Sequence, residues 1–178
     1  QDPDLRVAGT GITRLKEAGI EVQLGVCRYE ADQLNKGFFS RVELSRPLFT
    51  LKIATTLDGK IATHSGESQW ITGNLARRAA HRQRASHDGV MIGSGTALAD
   101  NPSLTCRLPG ISNEQRNRIV LDGRLRLPLD SQLVQTAGEV PVTVFTLPGD
   151  AAKQERIKQL ENNGVRVRIA PAEAPQLD

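Results

Sequence analysis

The sequence predicts an α/β fold in which a sheet is covered on both faces by helices. Three observations carry that expectation. Short apolar runs recur at Val90–Gly93, Arg118–Leu121, Val140–Leu147 and Val165–Ile169, with the length and β-branched content of buried strands. A helical segment, Ala151–Asn163, separates the last two, with Ile157 and Leu160 spaced to face inward. Strands that alternate with helices build one layered sheet rather than a helix bundle or a β-sandwich.

In chain order, the first part reads helix, strand, helix: Gly11–Ala18, then Ile20–Val26 between Gly19 and Gly25, then Glu30–Glu43. Arg46-Pro47 disfavours continuation of a helix and marks a boundary, so residues 1–45 form one segment, too short for a complete domain, and 46–178 another. The second opens with a strand over Leu48–Ala54 and a turn at Asp58-Gly59. A helix starts near Thr72 or Asn74, both good N-cap residue types. The four apolar runs follow, and Gly164 closes the helix between the last two. An Ala/Pro-rich tail, Ala170–Asp178, ends the series, and no internal repeat or low-complexity segment is visible.

Composition narrows the function classes. The chain has 178 residues, a formal net charge of +3 and only 3% aromatic residues. Its basic residues are interspersed with acidic ones, which suits a small anionic ligand at least as well as nucleic acid, and a base-stacking platform is not expected. No apolar run approaches the roughly 20 residues that span a bilayer, and the start shows no signal-peptide pattern. A cytoplasmic location without membrane partners is therefore expected. Cys27 and Cys106 are far apart and belong to no zinc-spaced cluster, so they read as reduced thiols, and no metal site is expected in this chain.

The residues that could carry chemistry lie between Lys52 and Arg107. Val90–Thr96 runs into Gly93-Ser94-Gly95, where a backbone could approach phosphate oxygens, although the full dinucleotide fingerprint is absent and a plain turn after a strand is the simpler reading. Gly9-Thr10-Gly11 reads as a turn. Trp70, the single Trp, sits in a polar loop where its indole could lie on a flat ring or close over the core edge, and Ser68 offers a hydroxyl nearby. The helix that follows carries Arg77, Arg78, His81, Arg82, Arg84 and His87, most of which read as a solvated face. Arg84 and Arg107 stand out because guanidinium groups near a glycine turn suit a substrate phosphate. His64, His81 and His87 show no metal spacing.

Three stretches in order, Lys52–Ala62, Gly66–Gly73 and Gly93–Thr96 through Asp100–Arg107, closely resemble the reductase domain of the bifunctional riboflavin-pathway deaminase–reductases. Those enzymes are diaminohydroxyphosphoribosylaminopyrimidine deaminases and 5-amino-6-(5-phosphoribosylamino)uracil reductases. Asp2-Pro3 and the Val7–Ile12 stretch through Leu34-Asn35 resemble the end of the family's cytidine-deaminase-like domain. The resemblance implies a dihydrofolate-reductase-like fold for 46–178 and NADPH-dependent reduction of the phosphoribosylamino substrate to its ribitylamino product. It implies Ala54, Trp70, Thr96 and Asp100 as cofactor contacts, and Ser68, Arg84, Leu104 and Arg107 as substrate contacts. Lys52 is the candidate catalytic residue, an ammonium on a strand leading into this site. The family suggests a homo-oligomer.

Two departures qualify what the resemblance implies. The family's zinc-binding deaminase motifs are not in this sequence, so zinc is expected only in a deaminase part outside it. The family's later substrate-contacting Glu and Gly-rich NADP loop also lie beyond its last residue, so the isolated chain is expected to bind cofactor weakly and turn over slowly or not at all. Two other readings are a stand-alone reductase of another pterin or pyrimidine and a non-catalytic nucleotide-binding remnant.

Overall fold

A computed structural model describes residues 2–4, 6–112 and 116–171; most of the Ala/Pro-rich tail therefore lies outside the described residues. The chain divides into two compact units, Gln1–Ile53 and Ala54–Asp178.

The first unit carries two helices, α1 (Thr10–Glu17) and α2 (Arg28–Leu44), where helical periodicity predicted them. Neither contributes a buried residue. The strand expected at Ile20–Val26 is absent: the segment lies between the helices without ladder pairing, and Ile20, Leu24 and Val26 are exposed. Leu48–Ala54 is likewise not a strand, so Lys52 does not lie on one. Apolar runs signal an extended backbone, but a strand also needs a ladder partner along its length, and neither segment joins the sheet.

In the second unit come α3 (Asn74–Ala85), β1 (Gly89–Gly93), α4 (Ser94–Asp100), β2 (Asn117–Leu121), α5 (Gln132–Gln135), β3 (Val142–Thr146), α6 (Ala151–Asn162) and β4 (Arg166–Ile169). The four strands form one parallel sheet in the order β1-β2-β3-β4, each pairing with its successor. The α/β expectation is met, and all four apolar runs are strands.

Period-two alternation sets which strand residues reach the core. Val120 of β2 and Val142 and Val144 of β3 are fully enclosed, and Leu127, Leu133, Val134 and Leu160 complete the same cluster. Each such side chain contributes roughly 1.5–3 kcal/mol by leaving water. Arg118 shares the inward parity of Val120 and is only 1% exposed. Its guanidinium is met by carbonyls: Nη1 donates to Ser103 O at 3.1 Å and to the Thr136 hydroxyl at 2.7 Å, and Nη2 to Thr136 O at 3.0 Å and Val140 O at 2.5 Å. Burial pushes its pKa down, partly opposed by Glu139.

Helix ends show where sequence signals operated. Asp150 caps α6 by accepting from Lys153 N at 3.0 Å. At the other end, Gly164 N donates to Glu161 O and Val165 N to Leu160 O, with Gly164 at φ +82°, a conformation that glycine adopts without steric cost. Gly164 thus sits one residue past the cap, which is Asn163. At α3 the capping position is Gly73, not Thr72 or Asn74. Arg77 instead binds both flanking groups, Thr72 O at 2.6 Å and the Asn74 side-chain oxygen.

Candidate functional site

The glycine turn expected after β1 is the start of α4. Gly93 is its extended N-cap, and Ser94 is buried with its hydroxyl accepting from Arg126 Nη2 at 2.7 Å. Ala97 packs into the core, which fixes the rotation of the helix. Thr96 and Asp100 are exposed, and their i, i+4 spacing puts them on one face. A hydroxyl and a carboxylate on one face of the helix that follows a parallel strand can donate to and accept from ribose hydroxyls. Asn101 then pins the end of α4 to the start of α5 by accepting from Gln132 N at 2.8 Å and from Gln132 Nε2 at 2.9 Å.

A second grouping joins α3 to the loop after α4. Arg84 Nη1 donates to Thr105 O at 3.0 Å, Cys106 Sγ to His81 O at 3.3 Å, and Arg107 N to His81 Nδ1 at 3.2 Å. These bonds bring Arg84 and Arg107, far apart in sequence, into one positive patch. Burial lowers the Arg84 pKa, and the neighbouring Arg107 charge lowers it further, with Cys106 acting in the opposite sense. Burial, then Arg84 and Arg107, likewise push His81 below its ordinary imidazole value. Two guanidinium groups that raise each other's electrostatic cost are relieved by an anion, and their planar donors match phosphate geometry.

His81 is the participant that the sequence pattern left without a role, noted only for its lack of metal spacing. Nothing local distinguishes it, because its partner lies on the far side of β1 and α4 in sequence. Arg118 was equally invisible as a brace, although its place inside an apolar run hinted at burial.

The remaining sequence candidates are placed as follows. Leu104 adopts φ +54°, and its side chain is in the core, which turns its backbone rather than its side chain towards a ligand role. Trp70 is 69% exposed, with Arg77 Cζ 4.3 Å from its ring centroid. A cation on one face of an exposed indole leaves the other face for a flat ring. Ser68 is exposed and follows a loop closed by Thr63 N to Glu67 O at 2.8 Å and Glu67 N to the Thr63 hydroxyl at 2.9 Å. Ala54 is half-buried at the start of the second unit, and Lys52 is exposed near the end of the first. Among the described residues, no group of three or more His, Cys, Asp or Glu side chains could hold a metal. None of the described helices is long and apolar enough to cross a membrane.

A four-stranded parallel sheet with helices between its strands makes the second unit an α/β domain. Residues 47–176 match the family model for the RibD C-terminal domain, and the chain belongs to that family. The riboflavin biosynthesis protein RibD of Bacillus amyloliquefaciens is 46% identical over 168 residues, covering 94% of this chain and 44% of that protein. The structure of Acinetobacter baumannii RibD, form 1, matches with a TM-score of 0.79 at 37% identity, covering 96% of this chain and 46% of the other. A diaminohydroxyphosphoribosylaminopyrimidine deaminase/5-amino-6-(5-phosphoribosylamino)uracil reductase from Thermotoga maritima matches with a TM-score of 0.74 at 34% identity, covering 93% of this chain and 51% of that one. The chain thus spans about half the length of the relatives it matches.

Proposed function

We propose that this chain is the reductase part of a riboflavin-pathway deaminase–reductase and that it reduces 5-amino-6-(5-phosphoribosylamino)uracil to its ribitylamino product. The observation that carries the reading is the convergence of Arg84 and Arg107 beside His81. The substrate's phosphate is the anion that such a patch would clamp, and the Thermotoga relative is named for the same reaction.

NADPH, when bound, supplies the hydride that reaches C1′ of the ring-opened sugar imine. The residues present fit such a group: Thr96 and Asp100 offer hydrogen bonds to its ribose, and the uncovered indole face of Trp70, with Ala54, offers apolar surface. The protein's work is positional. Arg84 and Arg107 fix the 5′-phosphate, the backbone at Leu104 and the hydroxyl of Ser68 orient the sugar, and the bond from Arg107 N to His81 Nδ1 keeps the loop in register. Lys52 is proposed, on its chemistry alone, as the group that polarises the sugar. Residues 1–45 are proposed as the end of a deaminase domain and 46–178 as the reductase domain. Zinc belongs to deaminase residues outside this sequence, and no step here uses it. A homo-oligomer and a cytoplasmic location complete the proposal.

The test is NADPH oxidation by the full reading frame with the phosphoribosylaminouracil substrate, alongside Arg107→Ala and Trp70→Ala. Substrate-dependent oxidation, with a raised substrate KM in the first variant and weaker cofactor binding in the second, supports the reading. A folded full-length protein that oxidises no NADPH overturns it.

A further inference from the structure

The start of α3 holds an arginine where helix electrostatics oppose one. Arg77 lies in the first turn, which contains no acidic residue and is capped by Gly73 without a side-chain bond. A cation there faces the positive end of the helix dipole, so its place needs a reason outside the helix. Helical side chains lean towards the amino end, and from this position Arg77 reaches back to Thr72 and Trp70. Arg78, one residue on, is exposed.

The Arg77 guanidinium is engaged at its edge and on its face. At the edge, Nη1 donates to Thr72 O at 2.6 Å and Nη2 to the Asn74 side-chain oxygen. The face lies over the Trp70 indole, with Cζ 4.3 Å from the ring centroid. Edge bonds run in the guanidinium plane, so they fix that plane and leave its face for an aromatic ring. Trp70 itself is 69% exposed, so the packed core does little to hold its rotamer. The cation supplies that hold from one side, by attraction to the ring's negative face.

An indole already held in place binds a second flat ring with less loss of side-chain freedom than a mobile one. Resting on the reductase reading above, in which Trp70 contacts the cofactor, we propose that Arg77 is a positioning residue for NADPH. It acts through Trp70, whose indole it holds with one face open to a ring of the dinucleotide. Removing Arg77 then costs cofactor affinity only while Trp70 is there to be positioned.

The test is a double-mutant cycle in the full-length protein, with NADPH as the probe and dissociation constants from calorimetry. Arg77→Ala should raise the NADPH Kd about 3–5-fold, the size of an exposed cation–π contact, and Trp70→Ala should raise it further. In the Trp70→Ala background, Arg77→Ala should add nothing. Arg78→Ala removes the same charge one residue on and should leave the Kd unchanged, which separates positioning from general attraction of an anionic cofactor. Thermal melts identify a variant that fails to fold. In that case Arg77→Lys carries the same cycle, because lysine keeps the charge and loses the two-pronged hold. An unchanged Kd in the Arg77 variant, losses that add in the double variant, or an equal loss in Arg78→Ala each overturn the proposal. The two readings fail separately: substrate-dependent NADPH oxidation with additive losses removes only the Arg77 assignment. NADPH binding with the expected coupling but without substrate turnover removes only the reductase.

Discussion

The backbone N–H of Arg107 donates to His81 Nδ1 at 3.2 Å, so a loop amide and an α3 imidazole define each other's position. An imidazole that accepts at Nδ1 is neutral and carries its proton on Nε2. The bond therefore ties the protonation state of one residue to the placement of another whose guanidinium is proposed to hold substrate.

Arg107→Ala in the full-length protein should raise the substrate KM by roughly 10–100-fold, the loss expected for a hydrogen bond to a charged group. Steady-state kinetics with saturating NADPH check this. A change confined to kcat would move Arg107 away from the phosphate.

Stability should fall in acid through His81. Its folded pKa lies below the ordinary value of 6.5, because of burial first and then Arg84 and Arg107. The unfolded chain therefore takes up a proton that the folded chain refuses, and the stability contribution, complete above 6.5, is lost as pH falls from there through the lowered value. His81→Asn keeps an acceptor but does not titrate, so its Tm should drop less than the wild type's between about pH 7.5 and 5.5. Equal drops would remove His81 from the acid response.

Arg118→Ala should destabilise the second unit by about 2–3 kcal/mol, because it empties the space of a buried side chain and removes the donor to the part-buried carbonyls of Ser103, Thr136 and Val140. Urea denaturation measures it. Arg118→Met, which refills the volume but not the bonds, should recover only part of the loss.

Leu160→Ala should cost ~2–5 kcal/mol, since the side chain is wholly buried and its removal opens a cavity. Gly164→Ala should cost about 1 kcal/mol through backbone strain at φ +82°, because the space around that position accepts a Cβ at 3.6 Å or more. The same melts order these two, and Gly164→Asn should be the milder change at its site.

The strands of the sheet were readable because parallel strands buried in a layered fold appear as short apolar runs, and β1 to β4 are such runs. Two helices were not readable for a reason of length. α4 and α5 cover two turns or less, too little for a helical period to repeat, and the glycines flanking Ser94 suggested a turn instead. Ser131, whose hydroxyl accepts from Val134 N, was a capping signal for α5 that the surrounding loop composition hid. The opposite error came at Ile20–Val26 and Leu48–Ala54, where composition suited a strand but pairing is a non-local fact. At the candidate site, residue chemistry and the resemblance drew attention to Arg84 and Arg107. The bonds that join them pass through Thr105 O and His81, contacts between segments that no local pattern connects.

The strand order β1-β2-β3-β4 also bears on how the sheet comes into being. Gly89 pairs with Asn117, Arg118 with Val142 and Thr143 with Arg166, so among the described residues every rung joins a strand to the one that next leaves the ribosome. No strand must wait for a distant segment before its ladder can close, and loop-closure entropy stays modest at each step. Translation can therefore deliver this sheet one hydrogen-bonded strand at a time, which limits how long any nascent edge stands open to a neighbouring polypeptide.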